Sequence, residues 1–97
     1  MTHASPCQIH RYHSPHVVDT DVHHIVPLSW GGPNIPSNKV SICPTGHRNV
    51  HELLREYAEF GGTPPWEIRC RFSVAERELA QRGWDGYIKL ENEILAH

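Results

Sequence analysis

Three cysteines in 97 residues are too few, and odd in number, for the disulfide framework that staples small secreted domains. No charged-then-apolar leader opens the chain, and no apolar run approaches the ~20 residues that cross a bilayer. Neither export nor membrane spanning is therefore expected, and a reducing cytoplasm is the expected setting. A positive excess is missing too. Nine Lys+Arg stand against eleven Asp+Glu, a formal net charge of −2, whereas nucleic-acid binders commonly present a basic face. Internal repeats and low-complexity segments are absent, and the length leaves room for one modest core, so a metal tying strand to helix would contribute to folding.

What the chain does have is histidine, in a pattern. His23-His24 ends an apolar stretch, and His47 and His51 follow on a segment with helical periodicity. Val50, Leu53, Leu54 and Tyr57 recur at the spacing of a buried stripe, with Arg48, Glu52, Arg55, Glu56 and Glu59 elsewhere. Residues four apart on a helix lie ~6 Å apart along its axis and share a face. His47 and His51 can therefore chelate one ion. Thr45 is the expected cap, and Gly61-Gly62 before Pro64-Pro65 the expected end, giving a helix over 45–60. Upstream, 17–24 alternates as a strand does. Adjacent strand residues point opposite ways, so His23 and His24 cannot both face the same ion. One is a ligand and the other has a different task. Three imidazoles around a divalent ion with a fourth beside it are the minimum equipment of a metal-dependent phosphodiesterase.

The run from Asp21 through His23-His24, Pro27, Trp30, Gly31-Gly32 and Asn34, then Asn38, then Ile42-Cys43 to His47 and His51, closely resembles the HNH endonucleases of the ββα-metal (His-Me finger) superfamily. The resemblance covers residues 7 to about 57 and is most specific over 21–51. It implies an α+β fold: a ββα-metal module over 1–60, with a strand near 17–24, a long loop, a strand near 39–42 and the helix. Residues 61–97 would form a linker and a helical C-terminal extension packed on it. It further implies His23, His47 and His51 as metal ligands, His24 as general base, and Asn38 as the residue that braces the loop and orients the base. A histidine, whose ordinary pKa is ~6.5, can take a proton from water near neutral pH. Arg48, beside a ligand at the helix start, is a candidate contact for substrate phosphate. Nitrogen donors favour Zn, Ni, Co or Mn, and Mg becomes plausible if Asp21 or a phosphate joins them.

Many relatives carry a structural zinc held by two Cys-x-x-Cys knuckles. The matching positions here are Cys7, His10, Cys43 and Gly46. Gly46 offers no ligand, so the second site is expected to be lost or weak unless His13 or Cys70 is recruited.

The expected activity is hydrolysis of DNA phosphodiesters, by nicking or double-strand cleavage, with DNA as partner and a monomer or weak dimer as the working form. Small HNH proteins of this kind are frequent in bacteriophages, so phage packaging or replication proteins are candidate partners, and a bacterial or phage-infected cytoplasm the location. The alternatives are a non-catalytic metal-stapled module that binds DNA or protein, and a phage packaging nuclease whose cleavage depends on a partner. Residues 1–51 carry Arg11, Lys39 and Arg48 against Asp19 and Asp21, a formal +1 that a divalent ion raises to +3. Binding to DNA should therefore be metal-dependent and salt-sensitive.

In the second half, Gly61 to Trp66 reads as a hinge or linker, with two glycines and two prolines in six residues. Ser73 and Glu76 form a capping box opening a short helix expected to stop at Gly83. A last helix, or alternatively a strand over Tyr87 to Leu90, follows Asp85. Trp66, Phe72 and Trp84 are expected to hold this tail onto the metal module. Arg69, Arg71, Arg77 and Arg82, with acids interspersed, read as a solvated face.

Overall fold

The computed structural model describes residues 3–5 and 18–95, with side chains from Thr20 onward as far as Ile94. Three antiparallel strands form a sheet in the order β1 (His3–Ser5), β2 (Val18–His24), β3 (Lys39–Ile42). Helix α1 (Pro44–Glu59) follows β3 directly, then the single-turn α2 (Trp66–Arg69) and the long α3 (Val74–Leu95). This is the α+β arrangement expected for a ββα module with a C-terminal helix.

The β2–β3 register pairs Asp21 with Ile42, Val22 with Ser41, His23 with Val40 and His24 with Lys39. Because side chains alternate across a sheet, Asp21 and His23 face α1 while His24 and Lys39 share the other side. Between the strands, 25–38 forms a long loop with two 3-10 turns, Leu28–Trp30 and Pro36–Asn38.

Helix α1 starts one residue earlier than its sequence suggests. Cys43, not Thr45, is the cap: its Sγ accepts a hydrogen bond from the Gly46 amide at 3.3 Å, and Pro44 fills the first helical position. Proline suits that position because it has no N–H to leave unsatisfied there. The helix ends as expected. Gly61 and Gly62 adopt φ of 64° and 102°, and the Gly62 amide returns to the Tyr57 carbonyl at 2.8 Å.

Val50, Leu53, Leu54 and Tyr57 of α1 form the core with Ile42 of β3, Phe72, and Leu79 and Ala80 of α3. Burying each of the larger side chains contributes roughly 1.5–3 kcal/mol. At the start of α3 the capping box is present, with the Ser73 amide donating to Glu76 Oε1 at 2.8 Å and the Glu76 amide to Ser73 Oγ at 3.2 Å. The other Glu76 oxygen accepts from Asn49 Nδ2 at 3.0 Å, so one carboxylate both caps α3 and ties it to α1.

The second half departs from expectation in three respects. Helix α3 is continuous through Gly83 to Leu95, so neither the stop at Gly83 nor the strand over Tyr87 to Leu90 occurs. Gly83 is there for close approach: a Cβ on it would lie 2.4 Å from the Ile25 carbonyl oxygen. The 61–66 stretch is packed rather than a free linker, with Pro64 buried and Gly62 seated under the Trp84 ring. Finally, Trp66 is 52 % exposed and flanked by the guanidinium groups of Arg69 and Arg77, 5.4 and 4.9 Å from its ring centre. Of the three expected aromatic anchors, Phe72 and Trp84 pack on the core and Trp66 does not.

Candidate metal centre and active site

Strand β2 delivers His23 onto the face of α1 that carries His47 and His51. The rings meet edge to face, with His23 centred 5.2 Å from each partner and the two helix rings 4.7 Å apart. One ring nitrogen from each of the three lies within 4.8 Å of the other two. The Nε2 atoms of His47 and His51 stand 3.0 Å apart. A first-row cation held at ~2.0–2.1 Å by imidazole nitrogens brings its donors to about this spacing.

His23 is fully buried, and neither of its ring nitrogens has a hydrogen-bond partner among the described residues. Buried polar atoms are nearly always paired, and leaving them unpaired costs about 1–3 kcal/mol each. Burial, then the nearby His51, His47 and His24, push the His23 pKa down to about 3. His51 is shifted the same way by burial, His47 and Arg55. The lowered values favour the neutral form of His23 and His51, and a neutral imidazole offers the lone pair that a cation needs.

Asp21 stands behind His47, with Oδ2 3.3 Å from Nδ1. An Nδ1–H donating to this carboxylate leaves Nε2 as the free lone pair inside the cluster, the arrangement that orients metal-binding imidazoles in general. Asp21 is thus placed to orient the His47 ring, and the three grouped side chains offer nitrogen donors.

His24 turns the other way. Its Nε2 lies 3.0 Å from Asn34 Oδ1, so the N–H donates to the amide oxygen and Nδ1 remains an acceptor. Lys39 is its cross-strand neighbour. Asn38 is buried, and its side chain closes the loop on itself: Oδ1 accepts from the Val26 amide at 2.9 Å, and Nδ2 donates to the carbonyls of Val26 at 3.0 Å and Pro33 at 2.9 Å. Asn38 thus bonds within the loop, whereas the His24 ring bonds to the side-chain oxygen of Asn34. Sequence reading passed over Asn34, although an amide placed after Gly31-Gly32 was a signal that could have raised it.

Arg48 is exposed, and among the described residues the one ion pair is that of His47 with Asp21. Among the described residues, Arg48, Lys39 and Arg55 form no ion pair with a carboxylate. For the second zinc set, Cys7 and His10, with His13, lie outside the described residues. Cys43 serves as the α1 cap, and the exposed Cys70 donates to the Glu67 carbonyl. Among the described residues the metal-competent grouping is His23, His47 and His51.

A family model described as HNH endonuclease matches residues 6–53, the stretch that supplies every one of these histidines. Residues 6–53 form an HNH domain. The chain is also 48 % identical over 31 residues to the type IV methyl-directed restriction enzyme EcoKMcrA of Escherichia coli K12, a match covering 32 % of this chain and 11 % of that enzyme. The match thus spans about a tenth of that relative's length. No solved structure matches the chain significantly. No helix among the described residues is long and apolar enough to cross a membrane.

Proposed function

We propose that this protein is a metal-dependent endonuclease that hydrolyses DNA phosphodiester bonds, by nicking or double-strand cleavage. The observation that carries the reading is His23: a buried ring whose two nitrogens have no hydrogen-bond partner among the described residues, grouped with two more imidazoles on the neighbouring helix. His23, His47 and His51 would hold one divalent cation, of which Zn, Ni, Co and Mn suit the all-nitrogen donors best. When bound, the cation supplies Lewis acidity that offsets charge on the phosphate and on the departing oxygen.

The remaining work belongs to side chains. His24 accepts the proton of the attacking water at Nδ1, the nitrogen left free by the bond to Asn34. Asn34 fixes the ring's tautomer and direction, and Asn38 holds the loop that carries Asn34. Lys39, beside His24 across the strands, and the exposed Arg48 meet the backbone phosphates. A non-catalytic metal-stapled module would require only the three ligands. An uncoordinated imidazole held by an amide beside them favours the enzyme.

Metal-stripped protein incubated with supercoiled plasmid and separately added Mn, Mg, Ni, Co or Zn tests this directly. Nicking with at least one ion is expected, lost in both His24→Ala and His47→Ala, with metal affinity retained only in His24→Ala. A wild-type protein that binds metal yet nicks with none of the ions would count against the catalytic reading. Metal affinity unchanged in His47→Ala would remove the ligand assignment.

A further inference from the structure

The half of the chain beyond the family match has no assigned task. Its long helix, however, touches the residues that follow His24. Gly83 is buried, and a Cβ there would lie 2.4 Å from the carbonyl oxygen of Ile25 and 3.0 Å from Leu54 Cδ2. One turn on, a Cβ on Gly86 would lie 2.6 Å from Val26 Cγ2. These approaches are closer than any side chain permits, so the glycines let α3 lie directly against the backbone leaving β2. Trp30, at the far end of the loop's first turn, packs on Trp84 and Tyr87 of the same helix, with ring centres 6.1 and 5.0 Å away.

Ile25 and Val26 are the adjacent links to His24. The Ile25 amide donates to the Asn38 carbonyl at 2.8 Å, and Val26 takes both ends of the Asn38 side chain. The loop then returns through Pro33 to Asn34, which grips the His24 ring. Both ends of the His24 side chain, its backbone and its ring, are therefore fixed by a loop whose outer wall is α3. The metal ligands are held differently, by β2 and α1.

We infer that the glycine-bearing face of α3, through Gly83 and Gly86, is a positioning element for His24, so that the catalytic unit extends well past residues 6–53. The inference rests on the nuclease reading for its kinetic consequence but not for its structural one. A small displacement of the loop turns the base while leaving the ligand cluster intact, and misplacing a reacting group by about 1 Å can cost roughly 100-fold in rate.

The decisive pair is Gly86→Ala alone and Gly86→Ala with Val26→Ala, because the second substitution removes the methyl that the first one strikes. Three quantities are read on the full chain: metal affinity by calorimetry with zinc alone, kcat and KM for plasmid nicking, and the His24 ring cross-peaks by NMR. Gly86→Ala should lower kcat roughly 10- to 100-fold, with KM and zinc affinity within about twofold of wild type, and should shift the His24 ring signals. The double variant should restore both kcat and signals. Gly83→Ala, whose clash is with backbone and cannot be relieved so simply, should be at least as damaged. Wild-type kcat and unmoved His24 signals in Gly86→Ala would overturn the inference, as would a loss that the double variant does not repair. Should the wild-type protein nick with no ion, the nuclease reading fails by itself, and the shift and recovery of the His24 signals still decide the positioning role.

Discussion

Acid should destabilise the metal-free protein by an amount that His23 largely sets. Its ring is held at a pKa of about 3 against an ordinary 6.5, first by burial and then by His51, His47 and His24. Unfolding returns the ring to water and to its ordinary value. Below that value the unfolded chain takes up a proton that the native ring refuses, so stability falls as pH drops, whereas above it neither state is protonated and the contribution is complete. The sensitive window therefore runs from 6.5 down to about 3. At ~1.4 kcal/mol per pH unit, going from neutrality to about pH 5 removes roughly 2 kcal/mol, and the whole window about 5 kcal/mol. That is a large share of the roughly 5–15 kcal/mol that holds a small domain together. Urea unfolding of metal-stripped wild type and His23→Asn, each at about pH 7.5 and about pH 5, measures it. Wild type should lose roughly 2 kcal/mol more than the variant between the two conditions. His51, displaced in the same direction, steepens both curves, so the difference reports His23. Equal losses in the two proteins would refute the idea of a buried ring that resists protonation.

Three further outcomes are expected. Asp21→Asn should weaken zinc binding by about 10- to 100-fold in calorimetry, and an unchanged affinity would mean that the carboxylate does not orient His47. Asn34→Ala should slow nicking by roughly 10- to 100-fold at unaltered zinc affinity, while Asn34→Asp, which keeps an acceptor for the His24 N–H, should recover most of the rate; full activity in the alanine variant would release Asn34 from its role. Leu53→Ala, at a core position with no exposure, should cost about 2–5 kcal/mol in chemical denaturation, and a loss below about 1 kcal/mol would show the core to be looser than its burial indicates.

Local patterns were readable in advance where one element sets them. The four-residue spacing of His47 and His51 defines a helix face whatever lies opposite it, and strand alternation was enough to split His23 from His24. The Ser73 and Glu76 capping box was equally legible, since its hydrogen bonds span a single turn. What escaped was decided by distant parts of the chain. Gly83 looked like a helix stop because a glycine lowers helix propensity, yet it is retained for contact with a carbonyl at Ile25, far away in sequence. Asn34 and Asn38 occupy one loop with the same chemistry, and only the loop's path determines which of them meets the His24 ring. Thr45 is the better capping residue by type, but Pro44 fits the first helical position and shifts the cap to Cys43. Trp66 does not anchor the tail: it is exposed, with guanidinium groups from two successive helices beside its ring.

Of the chain's three tryptophans, two sit on either side of the seam between the loop and α3 and one lies outside it. Trp30 and Trp84 are in mutual ring contact, whereas Trp66 projects to solvent between its arginines. Replacing Trp66 with phenylalanine would leave an emission signal that comes only from that seam. Ultraviolet fluorescence could then follow the seating of the loop in real time, with an optically silent ion such as zinc added or withdrawn, and without attaching any dye.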